Sequence, residues 1–174
     1  MKGTIAKCLG ELVCEKFGRD KWENALERAG LPRTTNFRII QDVDDAAVLK
    51  VVDCVCKELG ITMLQAADAF GDYWVNSYAP KIYGVYFSGA KTARELLLKM
   101  DSVHANVIKT TPNTFPPRFE YEWLDDKTLV MKYTSKRGLI DFLLGLVKGV
   151  GRYYKEHLTV TKLSADKLKV KFTD

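Results

Sequence analysis

The chain has 174 residues, of which 47% are hydrophobic and 28% charged, so it can bury a real core and is neither disordered, collagen-like nor disulfide-stapled. The longest apolar stretch, Leu139 to Val147, is broken by Asp141 and falls short of the about 20 residues a bilayer demands, and Lys7 and Glu11 interrupt the apolar segment near Met1. The net charge of +5 is uneven: residues 127–174 hold 11 basic and 4 acidic side chains. That basic third suits nucleic acid, an anionic ligand group or an acidic partner, and it holds no basic run with interleaved aromatics.

From Lys2 to Asn113 the periodicity is helical. Ile5, Cys8, Leu9, Leu12, Val13 and Phe17 form one apolar stripe on a first helix that Gly18 ends. Asp20 with Glu23 reads as a capping box for a short second helix ending near Gly30. Asp42, Asp44 and Asp45 supply N-terminal charge to a third helix, which Gly60 stops. Thr62 with Gln65 caps a fourth, carrying Phe70, Tyr73, Trp74 and Ser77, and a glycine-containing loop is expected next. Thr92 with Glu95 starts a fifth, and Asp101 is expected to cap a sixth that carries His104 and ends before Pro112.

The period then changes to two. Phe119, Tyr121 and Trp123, a turn at Asp125-Asp126-Lys127, and Leu129, Met131 and Tyr133 predict a hairpin. A long helix over Leu139 to Glu156 follows, then a second hairpin turning at Ser164-Ala165-Asp166. The fold class is α+β: a helical N-terminal half, then a four-stranded antiparallel sheet with a long helix.

Catalytic templates are missing: there is no GxSxG, HExxH, P-loop or GxGxxG, and only two histidines are present. The four cysteines, Cys8, Cys14, Cys54 and Cys56, lack CxxC spacing and read as reduced thiols of a cytoplasmic protein. His104 stands beside Met100, Val107 and Ile108 on an otherwise apolar helix face; His157, between helix and strand, reads as solvated. Tyr133, Ser135 and Arg137 sit at strand spacing, aiming two hydroxyls and a guanidinium one way, a set that suits paired carboxylates. A lone histidine together with a carboxylate-binding triplet is what a haem requires: an axial nitrogen and partners for two propionates.

On these residues the chain resembles the H-NOX family, the haem nitric oxide/oxygen binding domains related to the haem domain of soluble guanylate cyclase. The opening Met1-Lys2-Gly3-Thr4-Ile5, the segment Met100-Asp101-Ser102-Val103-His104, the Pro116-Pro117-Arg118 run, the YxSxR motif at Tyr133, Ser135 and Arg137, and Leu144-Gly145-Leu146 carry the likeness, which covers essentially the whole chain. The resemblance implies one haem b (iron protoporphyrin IX) enclosed by a distal helical subdomain, residues 1–60, and a proximal subdomain, residues 61–174. It implies His104 as iron ligand, the motif triplet on the propionates, Ile5 and Pro117 pressing on the porphyrin, and Asp45 paired with Arg137. Family members that hold oxygen carry a distal tyrosine where this chain has Phe142, and Ile5, Leu9, Trp74 and Leu146 offer no hydroxyl either. The resemblance therefore implies a non-catalytic nitric oxide sensor that also binds carbon monoxide and signals by release of His104 to a separate partner, a histidine kinase or cyclic-dinucleotide enzyme, with no nucleic acid or membrane involved. The alternatives are an oxygen-binding haem protein of the same fold and a non-haem basic binding module. Tyr73 and Tyr78 keep the oxygen reading open. Gly145, Gly149 and Gly151 in the long helix imply bending or close packing, since each costs about 1 kcal/mol there against alanine.

Overall fold

The computed structural model describes residues 1–173, and the chain forms two units, Met1–Ala66 and Ala67–Asp174. In the first, α1 (Gly3–Phe17) ends at Gly18, whose φ of 100° an L side chain tolerates poorly. Its apolar stripe buries Cys8, Leu9, Leu12 and Val13, while Ile5 is half-buried. Helix α2 (Arg19–Arg28) starts directly from Gly18 with no side-chain cap, so the expected Asp20–Glu23 box does not form. The glycine reverses the chain so abruptly that Asp20 already lies in the first helical turn, where its charge favours the dipole instead. Helix α3 (Asp45–Leu59) is capped by Asp44, which accepts from the Ala47 amide at 3.0 Å, and ends at left-handed Gly60. The Met1 ammonium lies 2.5 Å from Asp45 Oδ1. All four cysteines are free thiols.

Helix α4 (Met63–Tyr73) opens with a reciprocal box: the Thr62 amide donates to Gln65 Oε1 at 2.8 Å, and the Gln65 amide to Thr62 Oγ1 at 3.2 Å. Where the sequence suggests a loop, the chain stays helical. A π turn over Trp74–Tyr78 leads into α5 (Ala79–Ser88), kinked at Tyr83. Pro80 falls in the first turn of α5, directly after the π turn, whose closing bond runs from the Ala79 amide to the Trp74 carbonyl. The two helices expected next are one, α6 (Ala93–Thr110), capped by Thr92 and uninterrupted at Asp101.

The hairpins form as read: β1 (Arg118–Asp125) with β2 (Thr128–Thr134), and β3 (His157–Lys162) with β4 (Lys167–Thr173), joined as an antiparallel sheet of order β1-β2-β4-β3. Register Phe119↔Tyr133, Tyr121↔Met131 and Trp123↔Leu129 puts the alternating apolar residues on one face. There Leu96 and Leu97 of α6, and Leu143, Val147 and Val150 of α7 (Ile140–Tyr154), complete the core.

The glycines of α7 are explained by packing. A Cβ on Gly145 would sit 2.1 Å from the Ala67 carbonyl oxygen, one on Gly149 2.6 Å from that of Gly71, and one on Gly71 2.1 Å from the Gly145 carbonyl carbon. Ala67, Gly71, Gly145 and Gly149 thus let two helix backbones touch. Arg152 Nε lies 2.5 Å from Asp72 Oδ1, but these exposed side chains contribute only about 0–1 kcal/mol, so the close approach dominates. No helix is long and apolar enough to cross a membrane among the described residues.

Candidate haem site

His104 lies on α6 with its ring half-buried, and its Nδ1 is 2.8 Å from the Pro117 carbonyl oxygen. A carbonyl only accepts, so Nδ1 carries the proton and Nε2 holds the lone pair. Burial lowers the ring's pKa, more than the Pro117 carbonyl and Asp101 raise it, which favours neutral imidazole. On its apolar face Met100 and Val107 are half-buried, whereas Ile108 is exposed. His157 is exposed at the start of β3.

Asp101 is a clip, not a cap. Its carboxylate accepts from Arg118 Nε and Nη2, both at 2.7 Å, and from the Phe119 amide at 2.8 Å, which ties α6 to the residues flanking the Pro117 carbonyl. The sequence gives no local sign of this, because the partners are 17 and 18 residues away. The Arg118 fork holds the Asp101 carboxyl at about 2. A folded-state value below the unfolded one, about 3.9, stabilises fully above that pH and is lost as pH falls towards the folded value. Asp101→Asn is accordingly expected to be less stable than the parent at neutral pH. In urea titrations the difference should close between about pH 4 and 2.

Phe119, absent from the sequence-based candidates, joins the ligand region to the motif: its ring centroid is 5.4 Å from that of His104 and 6.2 Å from that of Tyr133. The strand alternation that predicted Phe119 as core already held the clue. Strand β2 stops at Thr134, so Ser135 and Arg137 lie in a turn and not, as expected, on a strand face with Tyr133. Gly138, at φ 62°, permits that turn. Ser135 Oγ accepts from the Arg137 amide at 3.2 Å, and buried Tyr133 accepts at its hydroxyl from the Leu139 amide at 3.3 Å. Arg137 Nη1 donates to the Phe115 carbonyl at 2.6 Å.

Of the remaining candidates of this unit, Trp74 and Phe142 both meet the Phe70 ring. Phe70 stacks on Trp74 at 5.8 Å and meets Phe142 edge-on at 5.6 Å, and Trp74 stacks on Tyr78 at 5.5 Å. Half-buried Leu146 follows Phe142 by one turn on α7. Ile5 and Leu9 belong to α1 of the first unit.

The donor set fits a haem. Among the described residues no three His, Cys, Asp or Glu side chains converge as a metal cage, and one neutral imidazole suits a metal that brings its other ligands in a macrocycle. The Pro117 carbonyl gives that imidazole the supporting hydrogen bond metal-binding histidines ordinarily have. The hydroxyls of Tyr133 and Ser135 and the Arg137 guanidinium are the right chemistry for carboxylates.

The sequence model described as Haem-NO-binding (HNOB) matches residues 2–162. The chain belongs to the Haem-NO-binding family. This H-NOX chain is 25% identical over 171 residues to the soluble guanylate cyclase gcy-35 of Caenorhabditis elegans, covering 96% of this chain and 25% of that protein. It is 27% identical over 157 residues to gcy-34 of the same organism, covering 87% and 23%. The chain thus spans about a quarter of the length of these relatives. An oxygen-binding H-NOX domain related to soluble guanylate cyclases, solved as its oxygen complex, superposes with a TM-score of 0.84 at 24% identity, covering 100% of this chain and 96% of that one. A Cs H-NOX variant bearing 4-cyano-L-phenylalanine gives 0.88 at 24% identity, covering 100% and 97%. These likenesses establish the H-NOX fold, α+β with an antiparallel sheet. H-NOX domains are haem-binding gas-sensor domains that signal to enzymes and are not catalysts themselves.

Proposed function

We propose that this H-NOX domain binds haem b through His104 and senses nitric oxide. The observation that carries the reading is the arrangement at His104: Nδ1–H on the Pro117 carbonyl, Nε2 free to donate, and the ring neutral by burial. When bound, haem supplies ferrous iron, to which diatomic gases coordinate. Tyr133, Ser135 and Arg137 would hold the propionates, and Pro117 would have a second role against the porphyrin. Changing all three motif residues to Ala is expected to weaken haem retention, with Arg137 contributing most because its fork makes two charge-assisted bonds. Haem transfer to apomyoglobin measures this, and parent-like retention would count against the motif.

Phe142, edge-on to Phe70, offers hydrocarbon where a hydroxyl would stabilise bound oxygen, which favours nitric oxide. Carbon monoxide is expected to bind as well. A second reading, oxygen binding, has one observation in its favour: Tyr78 stacks on Trp74 within the same aromatic group. Absorption spectra of the reduced protein decide between them. We expect no stable oxygen complex in air, a longer-lived one in Phe142→Tyr, and a five-coordinate nitric oxide complex, meaning His104 has let go. A stable oxygen complex of the parent would move the function to oxygen sensing. A six-coordinate nitric oxide complex under saturating gas would sink histidine release. A released His104 would no longer restrain α6, and that change would be the signal to a partner, a histidine kinase or cyclic-dinucleotide enzyme in the cytoplasm.

A further inference from the structure

Helices cover one face of the sheet, and on the other Thr128 and Val130 of β2 are buried as well. Helices α6 and α7 pack against β1, β3 and β4 on the side that holds Phe119, Met131 and Leu168, and the other face carries charge in rows. Lys167, Lys169 and Lys171 alternate along β4, so all three point outward, about 7 Å apart at strand rise. Among the described residues none of the three lies within 4 Å of a carboxylate, though Lys171 acts at longer range on Asp125, its neighbour across Thr128, and Lys169 is half-buried. Register Thr159↔Lys171 and Thr161↔Lys169 places two exposed threonines beside them on β3. Two strands away, register Glu120↔Lys132↔Lys167 and Glu122↔Val130↔Lys169 lays Glu120 and Glu122 on the same face, about 10 Å from the lysine row. Lys132, between the rows, is engaged at 3.3 Å by Glu120.

We propose that this outward face is a docking surface for an acidic protein segment laid along β4. Three like charges held at strand spacing repel one another, and an extended segment presents carboxylates at that same spacing on alternate residues. The Glu120–Glu122 row fixes its placement, since a partner must offer cations there, or at least no further acid. Nucleic acid fits less well. The sheet's aromatic residues Phe119, Tyr121, Trp123, Tyr133 and Phe172 all belong to the opposite face, leaving no base-stacking platform, and the glutamates repel phosphates. The surface is independent of the haem reading and gives the domain a contact for a signalling partner.

Fluorescence anisotropy tests it on the full chain with three labelled probes: a short peptide alternating Glu and Thr, one alternating Lys and Thr, and a short oligothymidylate. The acidic peptide is expected to bind, to weaken by about tenfold or more in Lys167→Glu/Lys169→Glu/Lys171→Glu, and to lose less than about twofold in Lys50→Glu/Lys81→Glu/Lys109→Glu, which changes net charge equally. The lysine peptide is expected to gain affinity for the first variant. Equal loss in both variants, or no binding of the acidic peptide, would overturn the proposal. Tighter binding of oligothymidylate through the same lysines would overturn it in favour of nucleic acid. Should the glutamate variant misfold by circular dichroism, the Gln triple variant replaces it, and parent-like affinity there would be equally fatal.

Discussion

His104→Gly is expected to leave a folded protein whose haem has lost its axial nitrogen, with free imidazole restoring the five-coordinate ferrous spectrum. The fold should survive. Removing the ring leaves the Pro117 carbonyl without its partner, a cost of about 1–3 kcal/mol, and glycine within α6 adds about 1 kcal/mol. Against this, α6 keeps buried Leu96 and Leu97 and the Asp101 clip to Arg118 and Phe119. Imidazole in solution can fill the coordination site but is not attached to α6. The restored protein should therefore look liganded by absorption while failing to change conformation with nitric oxide, as read by hydrogen exchange over 93–110. His157→Gly, at an exposed strand end, is the control and should change neither readout. Loss of the ferrous spectrum in that variant, and not in His104→Gly, would assign the ligand wrongly.

Gly145→Ala is expected to be among the most destabilising single-methyl changes available in this chain. By helix propensity alone it should stabilise α7 by about 1 kcal/mol. The added carbon, however, meets the Ala67 carbonyl oxygen at 2.1 Å and its carbonyl carbon at 2.7 Å, and these are backbone atoms of α4 with no rotamer to move. The helices must separate, opening the contacts of Gly71 and Gly149 as well, and a net loss of about 3 kcal/mol or more follows. For a chain of this length that lowers the melting temperature by about 10 °C. Gly84→Ala is the counterpart: nothing lies within 4 Å of the new carbon, so propensity should prevail and stability hold or rise. A raised melting temperature in Gly145→Ala would mean that the α4–α7 approach is wrong.

Much of this molecule is legible in one dimension because the responsible forces act within a few residues. Period-three-and-four stripes with Gly18, Gly60, Asp44 and the Thr62–Gln65 box delimit α1, α3 and the start of α4, and strict alternation in Phe119–Trp123 and Leu168–Phe172 sets the strands and their buried face. The same locality made YxSxR and His104 stand out as candidates for holding a haem. Other features depended on partners far along the chain. Asp101, three residues before His104, has every local property of a cap, and only the arrival of Arg118 and the Phe119 amide makes it a clip that lets α6 run unbroken. Residues 74–88 hold Pro80 and Gly84 and look like a loop, yet aromatic stacking of Trp74 on Phe70 and Tyr78 accompanies a continuous helical path through a π turn. The glycines of α7 carry a penalty in isolation; what reverses its sign is α4, whose backbone comes close enough that no side chain fits. Sequence fixes what each segment prefers, and tertiary structure decides wherever a distant group can outbid that preference by a few kcal/mol.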